Sequence, residues 1–550
     1  MRMLKFVALS GTTAATENLY IYEYEGDMLV VDCGVGFPDP EMLGVDLVIP
    51  DFSYIIKNKN KLRGIVITHG HEDHLGALPF LIKDGVNAPI YATRLTAAFI
   101  EDKMLDYGVK NARIFVFDPE KDFVIKLGVF GVTAFRVSHS VPDAVGLAID
   151  TPEGVVMHVP DYKFDWSSVD HRPFDVAKAV SLASKGVLML ASDALGATTP
   201  GHTESEAVLE ERIEQVVTKA KHRVFFTSIS SNISRMQQAI DAAQKNGRKV
   251  AFVGRSMERK AEIARQLGYL KYPSAIEVNS RRASKLPRNQ ILYIISGCYG
   301  QNGSALYRVA HSDHRFLEIE ENDTVIFSAD PAPPGSKQKV DYLVDRLLEL
   351  NVDVHYYDLQ EDLHVSGHGS REDIKFLFGL MRPRYLIPIG GTVRHMRAYS
   401  LIAQEMGYKP NQVFELMPGD CVEFTRGNAR KGKKFLVKSV LVDGLGVGDV
   451  GNVVLRDRRI LSEEGFVIAV AQYARSEGKL IERPEIVSRG FVFEKTSKNV
   501  LENASLRIAG EIKSGMTGEQ IKSLMVDVLE KYFFEEVGRR PMIIPVVIEI

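Results

Sequence analysis

Four potential metal ligands lie within six positions of the chain, directly after the apolar run at residues 65–67. They are His69, His71, Asp73 and His74, of which Asp73 and His74 are expected on the loop and at the start of a helix that begins near Leu75. In an extended chain, residues two apart point to the same side, so His69 and His71 face one way. Neutral imidazole is a good zinc ligand, and a carboxylate adds negative charge to the cluster. The segment therefore predicts a metal site at a strand end, against the alternative of a polar turn.

Further ligands are expected from later in the chain, because two neighbouring metal ions need a carboxylate that bridges them. His139 and Asp161 each follow an apolar, strand-like run, and we expect both to join the first four residues. Asp32 ends another such run. We expect it to lie beneath the cluster and orient the histidines, with an ordinary turn residue as the alternative. His158 alternates away from Asp161 and is expected in the core or behind the ligands.

Four parts of the chain differ in their pattern of strands and helices. In residues 1–203, β-rich runs that end in Gly, His or Asp alternate with helical stretches, which is typical of layered α/β proteins. Residues 204–362 predict a second α/β domain of parallel βαβ units. Residues 363–445 add a turn, a helix and an apolar strand, and residues 450–550 predict a small α+β domain.

Bulk properties exclude several classes of protein. The chain has 550 residues and a formal net charge of −3, so several domains are expected and no overall basic field attracts nucleic acid. Cys33, Cys298 and Cys421 lie far apart without CxxC spacing, which argues against a disulfide framework or a zinc ribbon. Neither a signal peptide nor a membrane-spanning segment is evident, so we expect a soluble, cytoplasmic protein with no membrane association.

The run THGHEDHLGALPF, residues 68–80, carries the HxHxDH signature of the metallo-β-lactamase fold. The chain resembles the ribonuclease J family, of the β-CASP branch, nearly from end to end. The segments similar to this family include DCGVGFPDPEMLGVDLVIPDFSY, SISSNISRMQQAIDAAQKNGRKVAFVGRSM, HVSGHGSREDIKFLFGLMRPRYLIPIGG, VDGLGVGDVGNVVLRDR and IVSRGFVF. The resemblance implies a metallo-β-lactamase αββα sandwich from residues 1–203 and 363–445. An inserted β-CASP α/β domain (204–362) and a small C-terminal α+β domain (450–550) complete the implied fold.

The resemblance implies a metal-dependent ribonuclease of RNA processing and decay. Such an enzyme removes nucleotides from 5′-monophosphorylated RNA in the 5′-to-3′ direction, often with endonuclease activity as well. It implies two Zn²⁺ ions, with Mn²⁺ or Mg²⁺ as alternatives. The implied ligands are His69, His71 and His139 for the first ion, Asp73 and His74 for the second, and Asp161 as the bridge. Asp73 and His368 are the implied catalytic residues.

The family's 5′-phosphate pocket corresponds to the run HVSGH, whose small residues and hydroxyl group let backbone N–H groups approach an anion. A polar turn before the helix that starts near Ser370 is the alternative. The pocket residues are His364, Val365, Ser366, Gly367 and His368. His368, or alternatively His364, would contact the scissile phosphate or help to protonate the leaving oxygen. Ser231 and Asn232 are expected to line the RNA channel, although a helix N-cap explains them equally well.

One expected ligand is missing from the sequence. The family's last ligand for the second ion is a histidine in a PVHGE run, but residues 388–392 read PIGGT, and Gly390 stands in the place of that histidine. Glycine has no side chain and cannot ligate. Other changes affect loops expected to face the site: SGTTAATEN replaces GGxGEIGKN, Pro160 precedes Asp161, and SDAL retains Asp193. The pattern predicts a divergent member with a weakened second metal. The alternative is a subunit that binds RNA or assists assembly beside an active paralogue.

Partners follow from charge and from the resemblance. Because the net charge is −3, RNA must be bound by local basic patches. The candidate phosphate contacts are Arg235, Arg255, Arg281, Arg282 and Lys285, each with an ordinary solvated charge as the alternative. The resemblance also implies a homodimer or homotetramer, or a hetero-oligomer with a paralogue. A hydrolase of small esters, thioesters or lactams is disfavoured, since a small substrate needs no second clamping domain.

Overall fold

The computed structural model describes residues 2–330, 335–357, 363–444, 446–492 and 498–550. The chain divides into two compact units, one of Met1–Phe37 with Leu47–Val440 and the other of Pro38–Asp46 with Leu441–Ile550. The predicted domain boundary at residue 362 falls in 358–362, outside the described residues. Among the described residues, every helix is too short or too polar to cross a bilayer.

The part of the first unit that precedes residue 204 alternates short strands and helices. In chain order these are β1 (Leu4–Ser10), β2 (Leu19–Tyr24), β3 (Asp27–Val31), β4 (Leu47–Ile49), α1 (Ser53–Lys57), β5 (Leu62–Val66), α2 (Glu72–Leu75), α3 (Leu78–Lys83), β6 (Ile90–Ala92), α4 (Arg94–Asp106), β7 (Ile114–Val116), β8 (Ile125–Leu127), β9 (Phe130–Arg136), β10 (Val145–Thr151), β11 (Gly154–Val159), α5 (Val176–Ala183) and β12 (Val187–Asp193).

The remainder of the first unit begins with a helix and continues with parallel strands. Its elements are α6 (Val208–Lys219), β13 (Val224–Thr227), α7 (Ile233–Lys245), β14 (Lys249–Val253), α8 (Arg255–Gln266), α9 (Ser280–Ala283), β15 (Ile291–Ile295), α10 (Ala305–Ala310), β16 (Thr324–Phe327), α11 (Ser336–Glu349), β17 (Asp353–His355), α12 (Arg371–Met381), β18 (Tyr385–Ile389), α13 (Val393–Glu405), β19 (Cys421–Thr425) and β20 (Asn428–Lys431).

Two sheets pack face to face in the first unit, in the orders β20-β19-β1-β2-β3-β5-β6-β7 and β18-β12-β11-β10-β9-β8. Their inner faces share one core, in which Phe6 and Leu29 of the first sheet meet Leu147 and Val156 of the second. The outer face of the second sheet packs against α5, α12 and α13. β11 reads GVVMHV and is apolar on both sides, because it is covered by the other sheet and by helices. This arrangement confirms the predicted αββα sandwich.

The inserted domain contains a separate five-stranded sheet in the order β14-β15-β13-β16-β17. All of its neighbouring strands run parallel, as the alternation of strands and helices predicts. Parallel strands need crossover helices, which cover both faces and explain apolar runs such as ILYII in β15. All carboxyl ends of these strands lie at one edge of the sheet, and Ser228 and Ser328 follow two of them.

The second unit is a small mixed fold, in agreement with the prediction of an α+β domain. Its strand β23 pairs with β24, β25 and β26, and the helices cover one face of this sheet through residues such as Ile508, Met525 and Phe533. The remaining elements of the chain are β21 (Val440–Asp443), β22 (Gly446–Val447), α14 (Asn452–Glu464), β23 (Phe466–Ala474), β24 (Lys479–Leu480), β25 (Glu485–Arg489), α15 (Lys498–Glu511), α16 (Gly518–Val537) and β26 (Met542–Glu549).

A buried ion cluster joins the inserted domain to the sandwich. Glu206 accepts from Arg235 Nη2 at 2.7 Å and lies 3.3 Å from Lys163 Nζ. Arg235 also donates to Ser328 Oγ at 2.6 Å, and its side chain is fully buried. The prediction that Arg235 contacts RNA phosphate was therefore wrong, because a carboxylate already neutralises it in the interior. Burial opposes ionisation of Glu206, but Arg235 and Lys163 outweigh it and lower the pKa of this carboxyl to about 2.

Removing the charge of Glu206 should destabilise the protein in a pH-dependent way. Glu206→Gln leaves the buried Arg235 without its carboxylate and Lys163 with Asp165 alone, at 3.7 Å, and should lower the free energy of unfolding at neutral pH by about 3–5 kcal/mol. Because the folded pKa is depressed, the stabilisation is present above the unfolded pKa of about 4.3 and is lost as the pH falls towards 2. Urea unfolding followed from pH 7 into acid should show the difference from the parent chain shrinking. The exposed Glu211→Gln is the control. An equal loss at every pH would contradict the ionic explanation.

Candidate metal centre

The predicted metal ligands come from three strand ends of the sandwich, and Asp193 lies at a fourth. The chain leaves β5 at Val66, passes His69, and enters α2 with His71 as its N-cap. This helix begins at Glu72, earlier than the predicted start near Leu75, and carries Asp73 and His74 in its single turn. His139 follows β9, Asp161 follows β11, and Asp193 ends β12. Strand ends from both sheets thus bring these side chains together.

The first four donor atoms converge on one place. His71 Nδ1 lies 3.3 Å from His69 Nε2 and 3.1 Å from His139 Nε2. Asp161 Oδ2 lies 3.5 Å from the Nε2 atoms of both His69 and His139. Tetrahedral zinc with bonds of about 2.0–2.1 Å requires donor separations of about 3.3 Å, and these four distances match that value.

A second group shares Asp161 and uses its other oxygen. His74 Nε2 lies 3.5 Å from Asp161 Oδ1 and 3.6 Å from Asp73 Oδ2. The three donor atoms lie within 4.8 Å of one another, as do those of the first group. Because the two oxygens of Asp161 face different groups, its carboxylate has the geometry of a bridge between two ions. The structure therefore brings together all six predicted ligands.

The rings are oriented by hydrogen bonds on the side away from the cluster. These hydrogen bonds join His69 Nδ1 to Thr68 Oγ1 (3.2 Å), His71 Nε2 to Ser140 Oγ (3.2 Å), His74 Nδ1 to Asp32 Oδ2 (2.8 Å) and His139 Nδ1 to the Gly367 carbonyl (2.8 Å). The carboxylate of Asp32 and the carbonyl of Gly367 can only accept, so protons lie on Nδ1 of His74 and of His139, and the two hydroxyl groups can accept from His69 and His71 in the same way. This arrangement leaves the inner nitrogens in position to bind a cation. Asp32 occupies the supporting position that the sequence predicts.

Burial and neighbouring charges favour neutral rings for His69 and His139 and an ionised carboxylate for Asp161. Burial, and then the neighbouring His74, hold the pKa of His69 well below its usual range, and burial lowers that of His139 to about 4. Burial opposes ionisation of Asp161, but His74 and His368 outweigh it and hold its pKa well below the ordinary value. Burial likewise opposes a proton on His74, yet Asp161 and Asp73 raise its pKa strongly. The carboxylates that attract this proton also attract a metal ion, whose binding displaces it.

Gly390 directly follows β18 and lies next to the second group. A Cβ atom added there would lie 3.4 Å from Asp193 Oδ1 and 3.8 Å from Asp161 Oδ1, which are ordinary contacts. The backbone at Gly390 has φ +68°, a left-handed conformation that favours glycine. The position therefore faces the ligands and has room for a β-carbon, but its backbone imposes strain on any other residue.

The run HVSGH lies beside the cluster, and its five residues have different environments. His368 Nδ1 lies 2.6 Å from Asp193 Oδ2, and burial is outweighed by Asp193 and Asp161, which raise the pKa of His368 to about 9. A Cβ at Gly367 would come within 2.8 Å of the His139 ring, so only glycine fits this approach. Ser366 is exposed, and its Oγ accepts from the N–H of His368. His364 is mostly buried, and Val365 is buried.

Ser231 and Asn232 are both buried at the start of α7. Asn232 is the N-cap of that helix, and its Oδ1 accepts from the backbone N–H of Arg235 at 3.0 Å. The local explanation considered for these residues, a helix cap, is therefore present for Asn232. Their contact with RNA stays a prediction.

Three supporting residues were not assigned a role from the sequence. Asp193 pairs with His368 and forms, with Asp161, a third group of potential donors within 4.8 Å. Asp193 could have been found from the sequence by its place at a strand end, as Asp161 was. Asn18 Nδ2 lies 3.0 Å from His74 Nε2 and closes the altered loop SGTTAATEN. Ser140 directly follows His139 and contacts His71.

Comparisons with known proteins agree across the whole chain. Residues 221–347 match the family model "Ribonuclease J, beta-CASP domain", and residues 453–550 match "Ribonuclease J C-terminal domain". Residues 28–227 match "Beta-lactamase superfamily domain", and residues 358–413 match "Zn-dependent metallo-hydrolase RNA specificity domain".

Individual relatives are similar over nearly their full length. The chain is 36% identical to "Ribonuclease J2" of Bacillus subtilis (strain 168), covering 100% of this chain and 99% of that protein. It is 36% identical to "Ribonuclease J 1" of Streptococcus pyogenes serotype M3, covering 98% and 97%. A solved structure, a protein of unknown function from Enterococcus faecalis V583, has a TM-score of 0.51 at 16% identity and covers 78% of this chain and 100% of that one, which indicates the shared fold alone.

A histidine at position 390 should increase binding of a second metal ion. Gly390→His adds an imidazole to Asp73, His74 and Asp161, and a β-carbon at this position meets Asp193 and Asp161 only at ordinary contact distances. Gly390→Ala is the matched control, because it carries the same backbone strain, about 1–2 kcal/mol, without a ligand. After dialysis against zinc, elemental analysis should show more metal per chain in the histidine variant than in the parent or the alanine variant. Equal metal content in all three proteins would show that position 390 does not limit the site.

Proposed function

The chain belongs to the ribonuclease J family and is a metal-dependent ribonuclease; we propose that it degrades 5′-monophosphorylated RNA from the 5′ end, with endonucleolytic cleavage as a second activity. The observation that carries this proposal is the pairing of the donor cluster with the run HVSGH. The Gly367 carbonyl accepts from His139, which supports a 5′-phosphate pocket directly beside the metal ligands.

The residues that would hold the metal are those whose donor atoms already converge. His69, His71 and His139 would hold one ion, Asp73 and His74 a second, and Asp161 both. Bound metal would supply Lewis-acid stabilisation of charge on the phosphate and a water-derived nucleophile at neutral pH. We propose Zn²⁺ as the native ion, since imidazole nitrogens dominate the first group, with Mn²⁺ or Mg²⁺ as substitutes at the carboxylate-rich second group.

His368 is the proposed proton donor to the leaving oxygen. Its Nδ1 is held by Asp193, which leaves Nε2 directed towards the cluster, 4.0 Å from Asp161 Oδ2. Asp193 thereby fixes the ring orientation, as a carboxylate does for a catalytic histidine in other hydrolases. In this scheme His368 contacts the scissile phosphate, and Asp73 acts through its contact with His74 and the second ion.

The 5′ end of the RNA is proposed to bind at Ser366 and Gly367. Ser366 exposes its hydroxyl, and Gly367 has no side chain that could block a phosphate. His364 and Val365 support this loop from the interior, and Ser231 and Asn232 are proposed to border the channel. Backbone N–H groups and a hydroxyl are the donors that a terminal phosphate needs.

The setting and assembly of the enzyme are also proposals. All three cysteines are buried and free, which suits action in a reducing cytoplasm. From the family we propose a homodimer or homotetramer, or a hetero-oligomer with a paralogue. Gly390 favours a second candidate function, a catalytically weakened subunit that binds RNA beside an active paralogue.

Loss of a first-group ligand should abolish RNA cleavage. His71→Gln removes the nitrogen that contacts both His69 and His139, and should lower kcat/KM on 5′-monophosphorylated RNA by more than about 100-fold. His171→Gln, at an exposed loop histidine, is the control and should retain activity. Full activity of His71→Gln would exclude the cluster as the catalytic centre, whereas an inactive parent chain that binds RNA would favour the weakened-subunit candidate.

The hydroxyl of Ser366 should make the enzyme prefer RNA with a 5′-monophosphate over RNA with a 5′-hydroxyl. Ser366→Ala removes a donor to the terminal phosphate and should lower kcat/KM for 5′-monophosphorylated RNA by about 10- to 150-fold, in line with the roughly 1.5–3 kcal/mol of one hydrogen bond to a charged group. The same RNA with a 5′-hydroxyl end is the control substrate, on which the variant and the parent should be alike. An equal decrease on both substrates would place the terminal phosphate elsewhere.

A further inference from the structure

A basic cavity lies in the inserted domain, apart from the metal centre. Its volume is about 670 Å³. Its lining includes four cations, an aromatic ring and an amide: Arg281, Arg282, Lys285, Arg315, Phe316 and Asn279. No aspartate or glutamate lines it. In a chain whose formal net charge is −3, this is a local concentration of positive charge.

These four cations differ from their neighbours in having no acidic partner. Within the described ranges, no carboxylate lies within salt-bridge distance of Arg281, Arg282, Lys285 or Arg315. Nearby, Arg265 pairs with Glu277, Arg288 lies 2.9 Å from Asp323, and Arg223 lies 3.2 Å from the same carboxylate. The fold thus neutralises the adjacent arginines and leaves this set free, so an anion binding here does not have to displace an internal partner.

The cavity rests on a rigid scaffold. Ala283, in the middle of the basic run, is buried in the core of the inserted domain and fixes α9, while Asn279 caps this helix. On the other wall, Leu317 is buried in the same core and anchors the loop that carries Arg315 and Phe316. The Arg281 guanidinium lies 5.9 Å from the centre of the Phe316 ring. The charges are therefore held around one space by the fold.

The position of the cavity relative to the metal centre follows from the parallel sheet. Residues 279–285 shortly precede β15, and Val278 donates to Val250 near the amino end of β14. The inserted domain approaches the run HVSGH from the opposite edge of its sheet. There, Ser328 follows β16, and its hydroxyl donates to the carbonyl of Leu363, directly before that run. A five-residue strand is about 16 Å long, so several nucleotides must separate the two places.

We propose that this basic cavity is an RNA-binding exosite, which holds the phosphodiester backbone of a long single-stranded RNA outside the catalytic cleft. The proposal rests on the proposed function, because RNA is the polyanion on which the enzyme acts. Unpaired arginine and lysine side chains bind phosphates without reading bases, so the exosite favours length over sequence. A dinucleotide is too short to occupy the cleft and the exosite together.

Binding measurements on full-length protein test the exosite. In an Asp161→Asn background that prevents cleavage, Arg281→Gln, Arg282→Gln and Lys285→Gln are combined, and fluorescence anisotropy gives Kd for a long single-stranded RNA. Kd should rise roughly tenfold, and the slope of log Kd against log salt should fall by about 2, since each single-strand phosphate contact contributes about 0.7. The control removes three exposed charges elsewhere, with Arg426→Gln, Lys431→Gln and Lys433→Gln, and should leave Kd near that of the background.

Two further measurements distinguish a site for the RNA backbone from a site for small nucleotides. They also distinguish the exosite from the proposed cleavage activity. In the cleaving enzyme, the exosite variant should raise KM for long RNA more than for a dinucleotide. Equal effects on both, or equal salt slopes in the two triple variants, would overturn the exosite. Displacement of the long RNA by AMP at the same phosphate concentration from the Asp161→Asn protein, but not from the same protein with the three exosite substitutions, would indicate a small-nucleotide site in the cavity and would also overturn the exosite. Failure of the unaltered enzyme to cleave RNA would defeat the proposed function, yet the binding comparison would still stand.

Discussion

The buried carboxylate of Asp161 is the group on which the rest of the catalytic unit depends. One oxygen lies 3.5 Å from His69 and His139, and the other lies 3.5 Å from His74. A carboxylate withdrawn from water is stable only beside positive charge. The outer nitrogens of His74 and His139 donate to Asp32 and to the Gly367 carbonyl, which leaves their inner nitrogens beside Asp161. The two sheets therefore fix a constellation that favours a cation at its centre, and the αββα layers provide the strand ends that create it.

The same charge balance explains the importance of position 390. Beside Gly390 and Asp161 lies a second carboxylate, Asp193, which pairs with His368. Positive charge against this pair comes from His368, whose pKa they raise to about 9. In a chain with histidine at 390, a neutral ligand would favour a metal ion at this place. Glycine at 390 leaves the charges of Asp161 and Asp193 to His368 and the other histidines of the cluster, and all six predicted ligands are retained.

The sequence predicted the parts of the site that lie at strand ends. His139 and Asp161 follow apolar runs, and parallel or adjacent strands bring such ends to one edge, so spacing alone located them. It did not reveal the pairing of Asp193 with His368, because the two residues are 175 positions apart and neither local pattern refers to the other. The early start of α2 at Glu72 was also missed, since a four-residue helix has too little periodicity to set its boundary.

Two arginines of the inserted domain show that the sequence alone does not distinguish a buried ion pair from a cation without an acidic partner. Arg235 and Arg281 both lie in a helical first turn, and the sequence offered both as phosphate contacts. Arg235 is buried against Glu206, a residue 29 positions away, whereas Arg281 opens into a cavity without acids. The chain has 71 acidic and 68 basic residues, enough to pair nearly every arginine and lysine. A cluster of cations that remains unpaired in such a chain, on rigid core residues, therefore indicates a surface shaped for an external polyanion.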